Sequence, residues 1–167
     1  MKKFLIVIDM QNNFITGRLG TPESRAIVPA VVEKIKNHDG AIYVTQDVNP
    51  WCDETSADFP VYPPIQAALP EDAVYFVKRT FGSVDLVQSL HRDYSGLDTL
   101  DADGNPLLAF EFCGVCTHVF VISNALMLRA FLPKAKITVD SSCCAGLSPE
   151  LHQAGLDVMR TCKIEVI

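Results

Sequence analysis

The residues of this chain best suited to chemistry crowd into the stretch EFCGVCTHVFVISNALMLRAF, residues 111–131, where Cys113 and Cys116 flank Gly114 and Val115 ahead of an apolar run. A thiol reacts as its thiolate, and the start of a helix lowers a thiol's pKa through the backbone dipole. Other reactive groups fall just past short apolar runs: Asp9 after FLIVI, Asp47 after AIYVTQ, Lys78 after AVYFV and Asp140 after ITV. A lysine beside a thiol favours the thiolate, and an aspartate can shuttle the proton. Each group taken singly also has a structural explanation, since an Asp after a strand forms turns or caps and a lysine is a solvated charge. Their convergence on one edge of a sheet is what makes a site.

The elements that must position them follow from hydrophobic periodicity. Strands are expected over 4–8, 41–46, 73–77, 107–112, 137–139 and 164–167, each a continuous apolar run. Between them the pattern predicts helices over 24–37, 84–91, 117–131 and from Ser148 to about Cys162, the last with Ser148 as N-cap and Pro149 at the first helical position. Residues 47–72 are proline-rich and read as a long loop, and SGLDTLDADGNP, 95–106, as a polar turn region. Alternating strands and helices predict an α/β fold: a three-layer α/β/α arrangement on a doubly wound, mostly parallel six-stranded sheet, in one domain over 1–167. In such sheets ligands bind beyond the carboxyl ends of the strands.

Composition narrows the function. The chain has 167 residues, 49% of them hydrophobic and 20% charged, enough for a packed core. Its net charge of −6 and lack of a basic run disfavour a nucleic-acid surface. Thr117, His118, Ser123, Asn124 and Arg129 interrupt the longest apolar run, and the apolar N-terminal stretch is stopped by Asp9 without a cleavage-site pattern. The expectation is a cytoplasmic protein that meets no membrane. The six cysteines of so long a chain then read as free thiols, mostly small buried hydrophobes.

Four segments, IDMQNNFITGRLG, VKRTFGS, GVCTHVFVISNALML and VDSSCCAGLSPELHQAGLDVM, resemble the isochorismatase-like cysteine hydrolases, the group that includes the nicotinamidases. The resemblance runs in order over nearly the whole chain. It implies hydrolysis of a small amide, with Asp9 and Lys78 at the family's catalytic Asp and Lys. The nucleophile of the family motif GVxTxxCV falls on Phe120, while Cys116 fills the variable position. The resemblance also implies a cis peptide between Val115 and Cys116, and substrate contacts from Phe14 and from the backbone at Val115, Cys116 and Phe120. Trp51, the only tryptophan, is added as a wall of the pocket from its place in the loop after the second strand. Where many nicotinamidases hold a metal with Asp-x-His, this chain reads Asp47, Val48, Asn49, and no His occurs between His38 and His91. The 47–72 loop also looks shorter than is usual in the family. No tightly bound metal and no cofactor are therefore expected.

Three readings of the activity stand. In the first, the amidase machinery has decayed and Asp9 and Lys78 survive in a pocket that binds a small amide or related ligand, with Cys116 as a substitute nucleophile in one variant. In the second, Asp9 acts without a covalent intermediate, as in isochorismatases that act on a vinyl ether, although Phe120 is large for that arrangement. In the third, C-x-x-C at 113–116 does thiol redox chemistry or, with Cys143 and Cys144, binds a metal. The expected partner is a small molecule, and self-association is left open.

Overall fold

The computed structural model describes residues 1–95 and 100–167. Residues 96–99 of the expected turn region lie outside the described residues. Six strands, β1 (Lys2–Ile8), β2 (Ala41–Asp47), β3 (Val74–Lys78), β4 (Leu108–Val115), β5 (Lys136–Ala145) and β6 (Glu165–Val166), form one sheet in the order β3-β2-β1-β4-β5-β6. Every neighbouring pair is parallel, so the sheet is parallel throughout rather than mostly. The chain winds outward from β1 through β2 to β3 and then returns to place β4 on the other side of β1. That reversal puts the switch point of the sheet at the carboxyl ends of β1 and β4, the place where doubly wound sheets bind ligands.

Both faces of the sheet are covered, which is why its strands read as unbroken apolar runs. Phe4, Ile6 and Ile8 of β1 point to one side and join Phe110 and Phe112 with Leu86, Leu90, Leu128 and Met159. The last four come from α5 (Val84–Tyr94), α6 (Ile122–Phe131) and α7 (Pro149–Thr161). Leu5 and Val7 point to the other side and meet Val31 and Ile35 of α3 (Val28–Lys36), with Val44, Cys113 and Val115. The alternation along β1 thus divides one strand between two cores. No helix among the described residues is long and apolar enough to cross a membrane.

Where the structure departs from the sequence pattern, local chemistry explains it. The helix expected over 24–37 begins earlier, at α2 (Pro22–Ala26), because Thr21 accepts the Ser24 N–H in a capping box. It then breaks at Ile27, since Pro29 has no N–H to continue the ladder and instead sits in the first turn of α3. The long loop carries one short helix, α4 (Pro63–Gln66), and a bridge between Gln11 and Val61 ties it to the segment after β1, where α1 (Asn12–Ile15) forms. The helix expected from Thr117 opens with a π-helical turn, Thr117–Val121, in which the Cys116 carbonyl accepts the N–H groups of Val119, Phe120 and Val121. Such turns concentrate at functional sites.

β5 gives the main correction. It is ten residues long, and its pairing with β4 jumps from Phe112↔Val139 to Gly114↔Cys144, so residues 140–143 bulge from the ladder. Asp140 therefore sits inside the strand and not beyond its end. Its carboxylate pairs with Lys34 at 2.7 Å, so it does not join the residues at the site edge.

Candidate active site

The first three strands end in charge, and the parallel register brings those ends together. Asp47 pairs with Lys78 across β2 and β3, and Asp9 follows β1 directly. Asp9 adopts a left-handed conformation with φ 51°, one that Asp tolerates better than most residues, and this turns the chain out of the strand. Beside it, Gly114 has φ 116°, and a Cβ there would fall 2.1 Å from the Ile8 carbonyl oxygen. Only glycine lets β4 approach the end of β1 this closely.

The Lys78 ammonium lies 2.7 Å from Asp9 Oδ2 and 2.8 Å from Asp47 Oδ1, with all three side chains almost removed from water. The second oxygen of Asp9 accepts a hydrogen bond from the Thr45 hydroxyl at 2.6 Å, and the Asn49 amide donates to Asp47 Oδ2 at 3.1 Å. Gln11 clasps the Asp47 backbone, accepting its N–H at 2.7 Å and donating to its carbonyl at 3.2 Å. One cation thus faces two carboxylates. Burial pushes the Asp9 carboxyl up to about 6, against the opposing pull of Lys78 and Thr45.

The Phe120 ring closes this cluster. Lys78 Nζ stands 4.2 Å from its centroid, within cation–π range. Phe14 meets it edge-on at 5.4 Å and Phe81 does so at 5.8 Å. Asn124, fully buried on α6, holds both phenylalanines by their backbones: its amide donates to the Phe120 carbonyl at 2.8 Å and the Phe81 carbonyl at 3.4 Å, while its oxygen accepts the Ser83 N–H at 2.8 Å.

Most residues singled out in the sequence come together here, namely Asp9, Lys78, Phe120, Phe14 and Cys116. The Val115–Cys116 peptide is cis. Cys116 is buried, and that burial, reinforced by the charge of Asp9, pushes its thiol up to about 12. Trp51 is 59% exposed, and its ring lies 5.6 Å from the Arg18 guanidinium. The four-thiol set does not assemble. Cys113, Cys116 and Cys143 belong to one core and Cys144 to the other, because successive residues of β5 point to opposite faces. All four are free thiols, and burial raises the pKa of each.

Sequence reasoning missed Thr45, Gln11, Phe81 and Asn124. Gln11 and Phe81 lay inside the motifs already singled out. Asn124 carried a signal of its own, as a polar residue in a helix apolar nearly all round. Thr45, in the middle of an apolar strand, had none.

A family model described as the isochorismatase domain matches residues 3–167. Among solved structures, the pyrazinamidase of Pyrococcus horikoshii in complex with zinc is 22% identical, with 100% of this chain and 99% of that chain covered at a TM-score of 0.76. An isochorismatase-like hydrolase from Alkaliphilus metalliredigens is 23% identical over 99% of this chain and 92% of that one, at a TM-score of 0.75. The pyrazinamidase/nicotinamidase of Streptococcus mutans is 20% identical over 99% and 100%, at 0.77. At these identities the likeness speaks for the fold. No curated protein matches the chain.

The zinc of the Pyrococcus protein has no counterpart donor set here. Both oxygens of Asp47 are engaged, one by the Lys78 ammonium and one by the Asn49 amide. Among the described residues no three His, Cys, Asp or Glu side chains are grouped to hold an ion. An ammonium 2.8 Å from the carboxylate repels a cation at that place, so the residues present do not fit a metal.

Proposed function

The chain belongs to the isochorismatase family, whose model spans residues 3–167, and from that premise we propose a single-domain, cytoplasmic member that binds a small amide or related ligand at the Asp9–Lys78 edge and has lost thioester chemistry. The observation that carries this reading is the Phe120 ring beside the Lys78 ammonium. A phenyl ring cannot attack an acyl carbon, and at 4.2 Å from Nζ it occupies the place where a thiolate would be stabilised. Lys78 and Asp9 then act on each other, as an ion pair, and on a ligand bound through Phe14, Trp51 and the backbone at Val115 and Cys116. No cofactor is needed for this role.

Cys116 is a poor substitute nucleophile. Its thiol is held near 12, so almost none is thiolate at neutral pH. The same burial and neutrality speak against thiol redox chemistry at Cys113 and Cys116.

The test is Phe120→Cys. The new thiol stands at the head of a helix beside Lys78, with Asp9 placed to take its proton. The wild type is expected to hydrolyse nicotinamide at the background rate, and the variant to react with iodoacetamide at residue 120 near neutral pH and to gain amidase activity. Losing most of the ring costs about 1–3 kcal/mol of stability, as other large-to-small changes do. Robust wild-type amidase activity that disappears in Cys116→Ala overturns the reading.

One observation favours a second reading. An Asp9 carboxyl held at about 6 is suited to proton donation near neutrality, which non-covalent hydrolysis of a vinyl ether requires. Wild-type activity that survives Cys116→Ala and vanishes in Asp9→Asn would select it.

A further inference from the structure

The two edges of the sheet are protected unequally. β6 has two residues, too short to recruit another strand. β3 has five, Val74–Lys78, and among the described residues it bonds to β2 alone. The Lys78 carbonyl accepts the Val48 N–H at 2.8 Å, which fixes the phase of the ladder. Residues 74, 76 and 78 turn their peptide groups toward β2, and Tyr75 and Val77 turn theirs outward. Among the described residues no other backbone or side-chain group bonds to those outward N–H and C=O groups. The usual edge defences are missing from 74–77, which holds no charge, no proline and no bulge.

The side chains on this edge are apolar and wet. Val74, Tyr75 and Val77 are 44%, 39% and 40% exposed, and Phe81 and Val84 extend the patch beyond the strand at 65% and 46%. Charge brackets the strand asymmetrically: Glu71 and Asp72 precede it and Arg79 follows it, all three exposed.

We propose that β3 pairs antiparallel with β3 of a second copy of this chain, about a twofold axis at Phe76. This register sets Tyr75 opposite Val77 of the other copy, so that both outward peptide pairs are satisfied. It also forms an aromatic–β-branched pair twice, a favourable cross-strand combination. Arg79, just past the end of one β3, then comes to the acidic turn at Glu71 and Asp72 that leads into the other, where Glu71 is a partner for its long side chain. The basic end of each strand meets the acidic end of the other, whereas parallel pairing would put like charges side by side. A twofold interface needs this self-complementarity, and a sequence with an acidic head, an apolar middle and a basic tail has it. The Arg79–Glu54 pair within one chain is exposed at both ends and competes weakly. The joined sheet would have twelve strands, twice the six of one copy.

Sedimentation velocity over a dilution series tests this on the full chain. The wild type is expected to dimerise, and Val77→Lys, which puts a charge opposite Tyr75 of the partner, to be monomeric with an unchanged circular dichroism spectrum. Arg79→Glu weakens the dimer about tenfold, because each dimer holds the Glu71 contact twice, and adding Glu71→Arg restores it. These last two positions are exposed, so their variants remain informative if Val77→Lys does not fold. A wild type that stays monomeric at every concentration overturns the proposal. A dimer indifferent to Val77→Lys, or a double variant no tighter than Arg79→Glu alone, does so equally.

Discussion

Two lysines in this molecule each bridge two carboxylates across neighbouring elements, and they sit in opposite surroundings. Lys78 meets Asp9 and Asp47 at the carboxyl ends of the strands, with side chains 2%, 0% and 7% exposed. Lys34, on α3, meets Glu111 and Asp140 midway along β4 and β5, with side chains 17%, 28% and 14% exposed. The inventory is the same and the outcome differs. In the buried cluster desolvation wins, and Asp9 is pushed up to about 6. In the groove burial alone would raise Asp140, but hydrogen bonds from Lys34 and Ser142 hold it below the ordinary carboxylate value. Lys34 likewise stands above its ordinary value: burial opposes the charge, and its bonds to Asp140 and Glu111 outweigh that. The depth of burial decides which way the carboxylate of such a triad shifts.

The largest expected effect tests that contrast directly. Lys78→Met leaves two carboxylates facing each other away from water, and breaking a buried pair in this way costs about 3–5 kcal/mol. Urea denaturation at neutral pH reads the loss. It should shrink as pH falls toward 6, because without the Lys78 charge Asp9 takes its proton at a higher pH than in the wild type. A loss under about 1 kcal/mol, the range of exposed pairs, would mean that the cluster is wetter than its burial indicates.

The second effect is a slope. Asp9 binds its proton more tightly folded than unfolded, so between about 4 and 6 the folded state holds more protons than the unfolded chain. The contribution of this group to stability therefore falls as pH rises through that window. Asp9→Asn removes the group while keeping a side chain that tolerates the φ of 51°. The variant should lose the falling segment of the stability–pH curve between 4 and 6. A curve parallel to the wild type there would show that the Asp9 carboxyl is not raised.

The same contrast shows where the sequence was legible. Strand order along the chain, the all-helical covers and the carboxyl-end location of Asp9 and Lys78 follow from apolar runs punctuated by charge, because that punctuation is local. Asp140 looked the same, an Asp after ITV, and belonged to the other triad. The bulge at 140–143 that lengthens β5 depends on pairing with β4 and β6, and no local pattern announces it. The break at Ile27 was in principle visible in Pro29. The engagement of Asp47 by Lys78 was not, since it depends on β2 and β3 lying side by side in register. Phe120 is the reverse case: its place was legible from motif spacing, and only the structure supplied its neighbours Phe14, Phe81 and the Lys78 ammonium.

The smallest effect completes the comparison at the groove. Lys34→Met keeps the aliphatic stem that packs over the sheet and removes the charge. Glu111 and Asp140 are then left together, but water reaches both side chains, so neither is stranded. The expected loss at neutral pH is about 1 kcal/mol, the scale of solvent-accessible pairs. Two properties should separate it from Lys78→Met. Salt screens charges that water reaches, so the loss in Lys34→Met should shrink in concentrated sodium chloride while that in Lys78→Met persists. The pH dependence should also run the other way from that of Asp9. Asp140 is depressed in the folded state, so its contribution is present above the unfolded value near 3.8 and is lost as pH falls through the folded value. In Lys34→Met the partner that depresses it is gone, and that acid-side loss should flatten. Urea midpoints of the two variants at low and high salt, and of Lys34→Met across the acid range, measure both. Equal salt sensitivity in the two would erase the distinction between the buried triad and the open one, and with it the argument that burial sets Asp9 apart.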